Sequence, residues 1–282
     1  MAGRFKRSWA LAGMALGLIR HDRSLLVFPL LSGVASLLVI ASFVLPLMDE
    51  GRLAAWAEQP PAAAYGLMFL FYVAMYFVTL FFNTALASVA LLHLAGTPAT
   101  WRDGLARATS RLPAIFGYAV LAATVGTLLR MLEERLGWIG RAVTAVLGVT
   151  WTVVTFLVVP VLAAEGKGPV ETLNESGRLL RTTWGENLIG QGGIGAAATV
   201  AYLLVGVLGI IGLVAAESVA GSAGLVAALV MLVAALVILA VVHAAMSGTY
   251  AAALYVYATR QQAPPGVSAA LMADAFAPKK QD

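Results

Sequence analysis

Charged residues divide the chain into six long uncharged stretches, with histidine counted as neutral. They are Ser24 to Met48, Gln59 to Trp101, Leu112 to Leu129, Ala142 to Ala164, Asn187 to Ala216 and Ser218 to Thr259. A helix needs about 20 apolar residues to cross a hydrocarbon core about 30 Å thick, so each stretch is long enough for one crossing. The pattern predicts six transmembrane helices. The second and sixth stretches hold 43 and 42 residues, which as unbroken helix would reach roughly 60 Å. Each must tilt, bend or protrude. The last stretch has Ser247-Gly248 in its interior but no proline or charge cluster that would split it into two crossings.

The segments between hairpins carry a second pattern, with a period of 3.6. After Thr97-Pro98, read as an N-cap followed by proline at the first helical position, Trp101, Leu105, Ala108 and Leu112 share one face and Arg102, Asp103, Arg107 and Arg111 take the rest. After Gly168-Pro169, Val170, Leu173, Leu180 and Trp184 form a stripe opposite Glu171, Glu175 and Arg178, and Glu175 can pair with Arg178 at i, i+3. The N-terminal segment repeats the theme more loosely, with Phe5, Trp9, Ala12, Leu16 and Ile19 beside Arg4, Lys6 and Arg7. These read as three amphipathic helices lying along the membrane surface or packed under the bundle. The chain then parses into helix-plus-hairpin units 1–96, 97–164 and 165–262, a single transmembrane domain, followed by a short polar tail at 263–282. Three two-helix units do not form the inverted halves of many secondary transporters.

The distribution of charge sets the orientation. Fourteen of the 18 basic residues fall in the segments that share a side with the N-terminus, and only Arg52, Arg130, Arg135 and Arg141 fall opposite. The positive-inside rule therefore predicts cytoplasmic N- and C-termini in the cell membrane. The net charge of +4 is accounted for by the same rule and calls for no nucleic acid. With 61% hydrophobic residues, 11% charged residues and no cysteine, the chain is excluded from the ordinary soluble class and from disulfide and thiolate chemistry. No removable signal peptide is read at the N-terminus, because no small-residue cleavage site follows a short apolar run.

Arg7-Ser8-Trp9, followed by Arg20-His21-Asp22-Arg23-Ser24-Leu25-Leu26-Val27-Phe28-Pro29-Leu30-Leu31-Ser32-Gly33, resembles an uncharacterised prokaryotic family of multi-pass membrane proteins of unknown function. Ala252-Ala253-Leu254-Tyr255-Val256-Tyr257-Ala258 resembles an ending common in that group. The helix-plus-hairpin layout is also distantly similar to the membrane domain attached to some glycerophosphodiester phosphodiesterases. The attached hydrolase has no counterpart here, so that resemblance implies no activity, and no functional residue is carried over.

Polar residues within spans are the default functional candidates. Asn83, His93 and His243 are those of this chain, either as a polar cluster or as separate side chains bonded between helices and to carbonyls. Glu165 and Glu217 are read as interfacial, and Arg130, Glu133, Glu134 and Arg135 as local ion pairs. Gly206, Gly209 and Gly212 are read as helix packing sites, and the aromatics from Tyr65 to Phe82 as lipid contact and core. No metal-ligand spacing, nucleophile elbow, nucleotide loop or paired membrane aspartate is present. The sequence therefore predicts an all-α integral membrane protein with six transmembrane helices and three cytoplasmic-face amphipathic helices, without cofactor and not an enzyme. Its partners are expected to be membrane lipids, a membrane protein or further copies of itself, engaged through Trp9, Trp101, Arg107, Arg111, Arg178, Arg181 and Trp184. The alternative is a transporter of a small molecule, ion or lipid that uses Asn83, His93 and His243.

Overall fold

Two glycines shape the molecule. In the computed structural model, which describes residues 16–20, 22–48, 61–182 and 184–260, every regular element is helical. A 3-10 turn, Arg23–Leu26, leads into α1 (Val27–Met48), followed by α2 (Ala62–Leu94), α3 (Trp101–Ser110), α4 (Leu112–Val154), α5 (Val158–Glu165), α6 (Pro169–Thr182) and α7 (Trp184–Arg260). Helix α4 is interrupted at Gly137 (φ 57°, ψ −126°) and α7 at Gly221 (φ 58°, ψ −146°). Only glycine adopts this backbone region without strain. Three residues on, a Cβ at Gly140 would lie 2.8 Å from the Leu132 carbonyl oxygen, and one at Gly224 would lie 2.3 Å from that of Ala216. Both turns are therefore Gly-x-x-Gly, in which the first glycine supplies the reversal and the second lets the returning helix start against the backbone it has just left.

The arms of each interrupted helix run antiparallel. In α7, a Cβ at Gly209 would lie 2.3 Å from Leu232, and the Tyr202 and His243 rings are 6.1 Å apart. Five helices among the described residues are long and apolar enough to cross a membrane: Arg23–Met48, Ala63–Leu94, Leu112–Glu133, Val143–Glu165 and Ile194–Arg260. The last is the one that folds back at Gly221. Of the two long stretches, the second forms the unbroken 33-residue α2. The sixth continues without a break through Gly248, which packs against Leu86 of α2.

Helix α2 is the hub, touching α1, α3, α4, α5 and α7. Its two halves differ. Toward Leu94, the base end, Ala85, Leu86, Val89 and Ala90 are buried with Ile115, Ala119, Leu157, Leu162, Tyr250 and Leu254. Toward Gly137 and Gly221, the tip end, large apolar side chains stand exposed, among them Leu37, Val146, Leu208 and Met231.

Two short helices close the base. Pro160, which has no N–H, interrupts the chain between α4 and α5 and leaves a turn at residues 155–157. The turn frees the Leu157 N–H and the Val154 carbonyl, and Ser176 of α6 satisfies both: its hydroxyl donates to Val154 O (2.6 Å) and accepts from Leu157 N (3.2 Å). Of the predicted stripe, Leu180 is buried and Leu173 packs against the core, but this contact turns the start of the helix so that Val170 lies outside. Thr172, Ser176 and Leu179 are buried as well. Helix α3 starts at Trp101 and not after Thr97, because Thr100 forms the cap: its N–H and hydroxyl both donate to Asp103 (2.8 and 2.7 Å). Gly104 then sits against Ala85, Val89 and Phe28 with no room for a Cβ. Of the predicted α3 stripe, Ala108 is buried and Leu105 packs against the core, but Trp101 is exposed. Trp9 and the tail at 263–282 lie outside the described residues, as does the side chain of Trp184.

The hairpin at Gly221 makes a direct prediction. The natural chain has no cysteine, so Gly209→Cys with Leu232→Cys should cross-link within one chain through a short thiol-specific reagent, read as a mobility shift. On a straight helix those positions would be about 35 Å apart, and no shift would form. Gly221→Val should lower the yield and cost about 1–3 kcal/mol of stability.

Candidate functional site

At the base end, polar side chains among the described residues join the helices through two links. The first joins the 3-10 turn to α2. Asp22 caps the turn, its Oδ1 accepting from Ser24 N at 2.8 Å. Its Oδ2 lies 3.3 Å from His93 Nε2, and His93 Nδ1 lies 3.0 Å from Val89 O. The second link joins α5, α6 and α7. Glu165 accepts from the Tyr255 hydroxyl at 2.8 Å and pairs with Lys167. Lys167 Nζ also lies 3.7 Å from Glu175, which pairs with Arg178.

The charges of the second link tune one another. Hydrogen bonding to Glu165, with Glu175 adding to it, holds the Lys167 ammonium above its ordinary range. The Arg178 guanidinium, helped by Lys167 and opposed by slight desolvation, holds the Glu175 carboxyl below its own. On α3, the Thr100 hydroxyl and N–H do the same for Asp103. The side chains of Lys167, Arg178 and Asp103 are exposed and Glu175 is half-buried, so screening of its partners keeps the contribution of these pairs to stability modest.

The three polar span candidates have separate surroundings. Asn83 is half-buried on α2, His93 belongs to the Asp22 link, and His243 meets Tyr202 edge-on. No hydrogen bond or ion pair among the described residues joins any two of them. The candidate surface residues also divide. Arg111 is tucked inward, where its guanidinium fills the space that a Cβ on Gly166 would need, beyond the C-terminus of α5. Arg107 is half-buried. Trp101 stacks with its neighbour, the Arg102 guanidinium lying 5.3 Å from the ring centre. Arg178 pairs with Glu175, and Arg181 is exposed on α6. Arg130 reaches across to α2, donating to the Tyr72 hydroxyl at 2.9 Å. Of the predicted packing glycines, Gly209 meets Leu232, whereas a Cβ at Gly206 or Gly212 would meet open space.

Two grooves open beside these elements. One, of about 1010 Å³, lies between the arms of α4 at the tip end and is lined by Arg130, Glu133, Arg141 and Thr144. The other, of about 780 Å³, lies between α6 and the end of α4, with Val153 and Leu173 on its walls and Asn174, Arg178 and Arg181 at its edge.

Residues 62–264, from α2 through α7, match a family whose members carry no assigned function. The chain belongs to the family of unknown function DUF6159. The matched region of this DUF6159 protein contains Ala252–Ala258, where Tyr255 holds Glu165; the Arg7–Gly33 segment precedes it. No curated protein and no solved structure matches the chain.

Sequence reasoning missed the partners of His93 and Tyr255. Asp22 and Glu165 stand 71 and 90 residues away in the chain, and no local spacing points to either pairing. Tyr255→Phe removes a hydrogen bond to a charged acceptor, and a loss of about 1.5–3 kcal/mol is expected in chemical denaturation. Acid should weaken the α6 link. The lowered Glu175 pKa stabilises the fold above the ordinary value of 4.5, and that contribution disappears as the pH falls through the lower folded value. Thermal melting below pH 4.5 should therefore decline less steeply in Glu175→Gln than in the parent.

Proposed function

We propose that this protein is a non-enzymatic, multi-pass component of the cell membrane whose base-end helices engage lipid or a partner membrane protein. The observation that carries this reading is the division of the molecule into two halves. Apolar side chains are exposed around the tip half, while the base half has a buried core covered by helices with charged outer faces. In this reading each interrupted helix crosses twice, giving six crossings, and the roughly 20 residues nearest each tip fill the hydrocarbon. The remainder of α2 and of the second arm of α7 extends below the bilayer, which accounts for two stretches about twice the length of one crossing. The base carries most of the arginines and faces the cytoplasm with both termini.

Single cysteines test this arrangement in intact cells. Ser222→Cys at the tip should react with a membrane-impermeant maleimide from outside, and Thr97→Cys at the base only after lysis. The reverse pattern would overturn the orientation, and labelling of both from one side would overturn the six crossings. Purified protein should carry anionic phospholipid above its share of the bulk membrane, or a second protein at fixed stoichiometry. Finding neither would overturn the functional reading.

A further inference from the structure

We infer that the groove between α6 and the end of α4 is a binding site for one anionic phospholipid of the cytoplasmic leaflet, a reading that rests on the membrane arrangement proposed above. Three observations converge on this groove. The first is depth. Val153 and Val154 lie 16 and 17 residues beyond the Gly137 tip, about 25 Å along the arm. That places the groove where a hydrocarbon core about 30 Å thick gives way to headgroups. The second is charge. Arg178 and Arg181 stand one turn apart on α6, with Asn174 one turn before Arg178, and all three line the groove. Arg178 is already paired with Glu175, whereas Arg181 is exposed and makes no ion pair with another described residue. A phosphodiester offers two acceptor oxygens to such a guanidinium. The third is the wall. Val153, Leu173 and Leu180 line the same space of about 780 Å³ and give an acyl chain an apolar track leading from the headgroup into the bilayer.

The groove exists because of the break at Pro160. Ser176 must reach Val154 and Leu157 to satisfy the backbone there. This anchors α6 beside the end of α4, while Gly177 keeps the two apart only by the space between a would-be Cβ and the Val154 side chain, 3.7 Å. The turn of α6 that carries Arg178 and Arg181 is thereby held at the bilayer boundary. The other basic surface helix, α3, is capped at Thr100 and buries Gly104 against α2, so Arg102 serves as a control for charge alone.

The test is native mass spectrometry of the full chain titrated with palmitoyl-oleoyl phosphatidylglycerol or the corresponding phosphatidylcholine. The parent should retain one phosphatidylglycerol in preference to phosphatidylcholine. Arg181→Gln should weaken that retention about fivefold, the effect of one basic residue at an anionic surface. Gly177→Leu should weaken it similarly by filling the groove without changing charge, and Arg102→Gln should leave it unchanged. Retention in Arg181→Gln equal to that of the parent overturns the site. Equal losses in Arg181→Gln and Arg102→Gln also overturn it, while leaving intact the broader reading that the base helices engage lipid. A parent that prefers neither lipid overturns the site and the lipid arm of that broader reading together.

Discussion

In hydrocarbon no water is available to satisfy a backbone N–H or carbonyl, so a chain can reverse or break its helices only where protein groups take over those bonds. In the membrane arrangement proposed above, the tips reach the outer boundary of the hydrocarbon and the base break lies near the inner one, and two devices keep unbonded backbone at both boundaries to a minimum. At the tips, Gly137 and Gly221 reverse the chain within one residue, so almost no backbone is left outside a helix. At the base, the break imposed by Pro160 is closed by a single hydroxyl, that of Ser176, bonded to both freed groups. The tip device makes antiparallel arms out of what would otherwise be very long rods. The base device fixes where α6 docks, and with it the groove and the charged link through Glu175.

The location of the buried core follows from these devices. Tight reversals keep the paired arms together but leave most of their surface facing outward at the tips, where, in the arrangement proposed above, lipid is as good a neighbour as leucine and only the base meets water. At the base the neighbours include water, and apolar surface there must be covered. The short helices α3 and α6 do this, inserting small or polar residues (Gly104, Ala108, Thr172 and Ser176) against the inner halves of the long helices. Small side chains permit close approach, and the polar ones find backbone partners in Val154, Leu157 and Lys167.

Much of this architecture was legible in the sequence, because uncharged length is a strong signal. The all-helical class, the long apolar helices and the two short helices Trp101–Ser110 and Pro169–Thr182 all follow from residues read a few positions at a time. The faces of those two helices were less legible. Periodicity placed Val170 and Trp101 on the apolar faces, but tertiary contacts at Ser176 and Gly104 decide which part of each face packs inward and leave these two exposed. Hydrophobicity does not mark a serine as a core residue when its role is to repair a break on another helix. The reversals were written as Gly-x-x-Gly and went unread, since the same letters occur in many helices where neither glycine has positive φ. The polar links were hidden for a different reason. Asp22–His93 and Glu165–Tyr255 join distant elements, and only the fold brings them together.

The same reasoning separates the polar residues that hold the molecule together from those that remain available to a ligand. Asp22, His93, Glu165, Lys167 and Tyr255 are engaged with one another across elements, and Arg111 is absorbed at the end of α5. Lys167, committed in this way, has little left to offer a phosphate, because its charge is answered by Glu165 and Glu175. Arg181 differs. It sits on a helix whose position is dictated from its other face, and it is exposed with no ion pair to another described residue. A basic group fixed at the edge of an apolar groove, at the depth where hydrocarbon ends, is prepared for an anion that carries a chain. That distinction between committed and uncommitted charge, more than the number of arginines at the base, is what directs attention to α6.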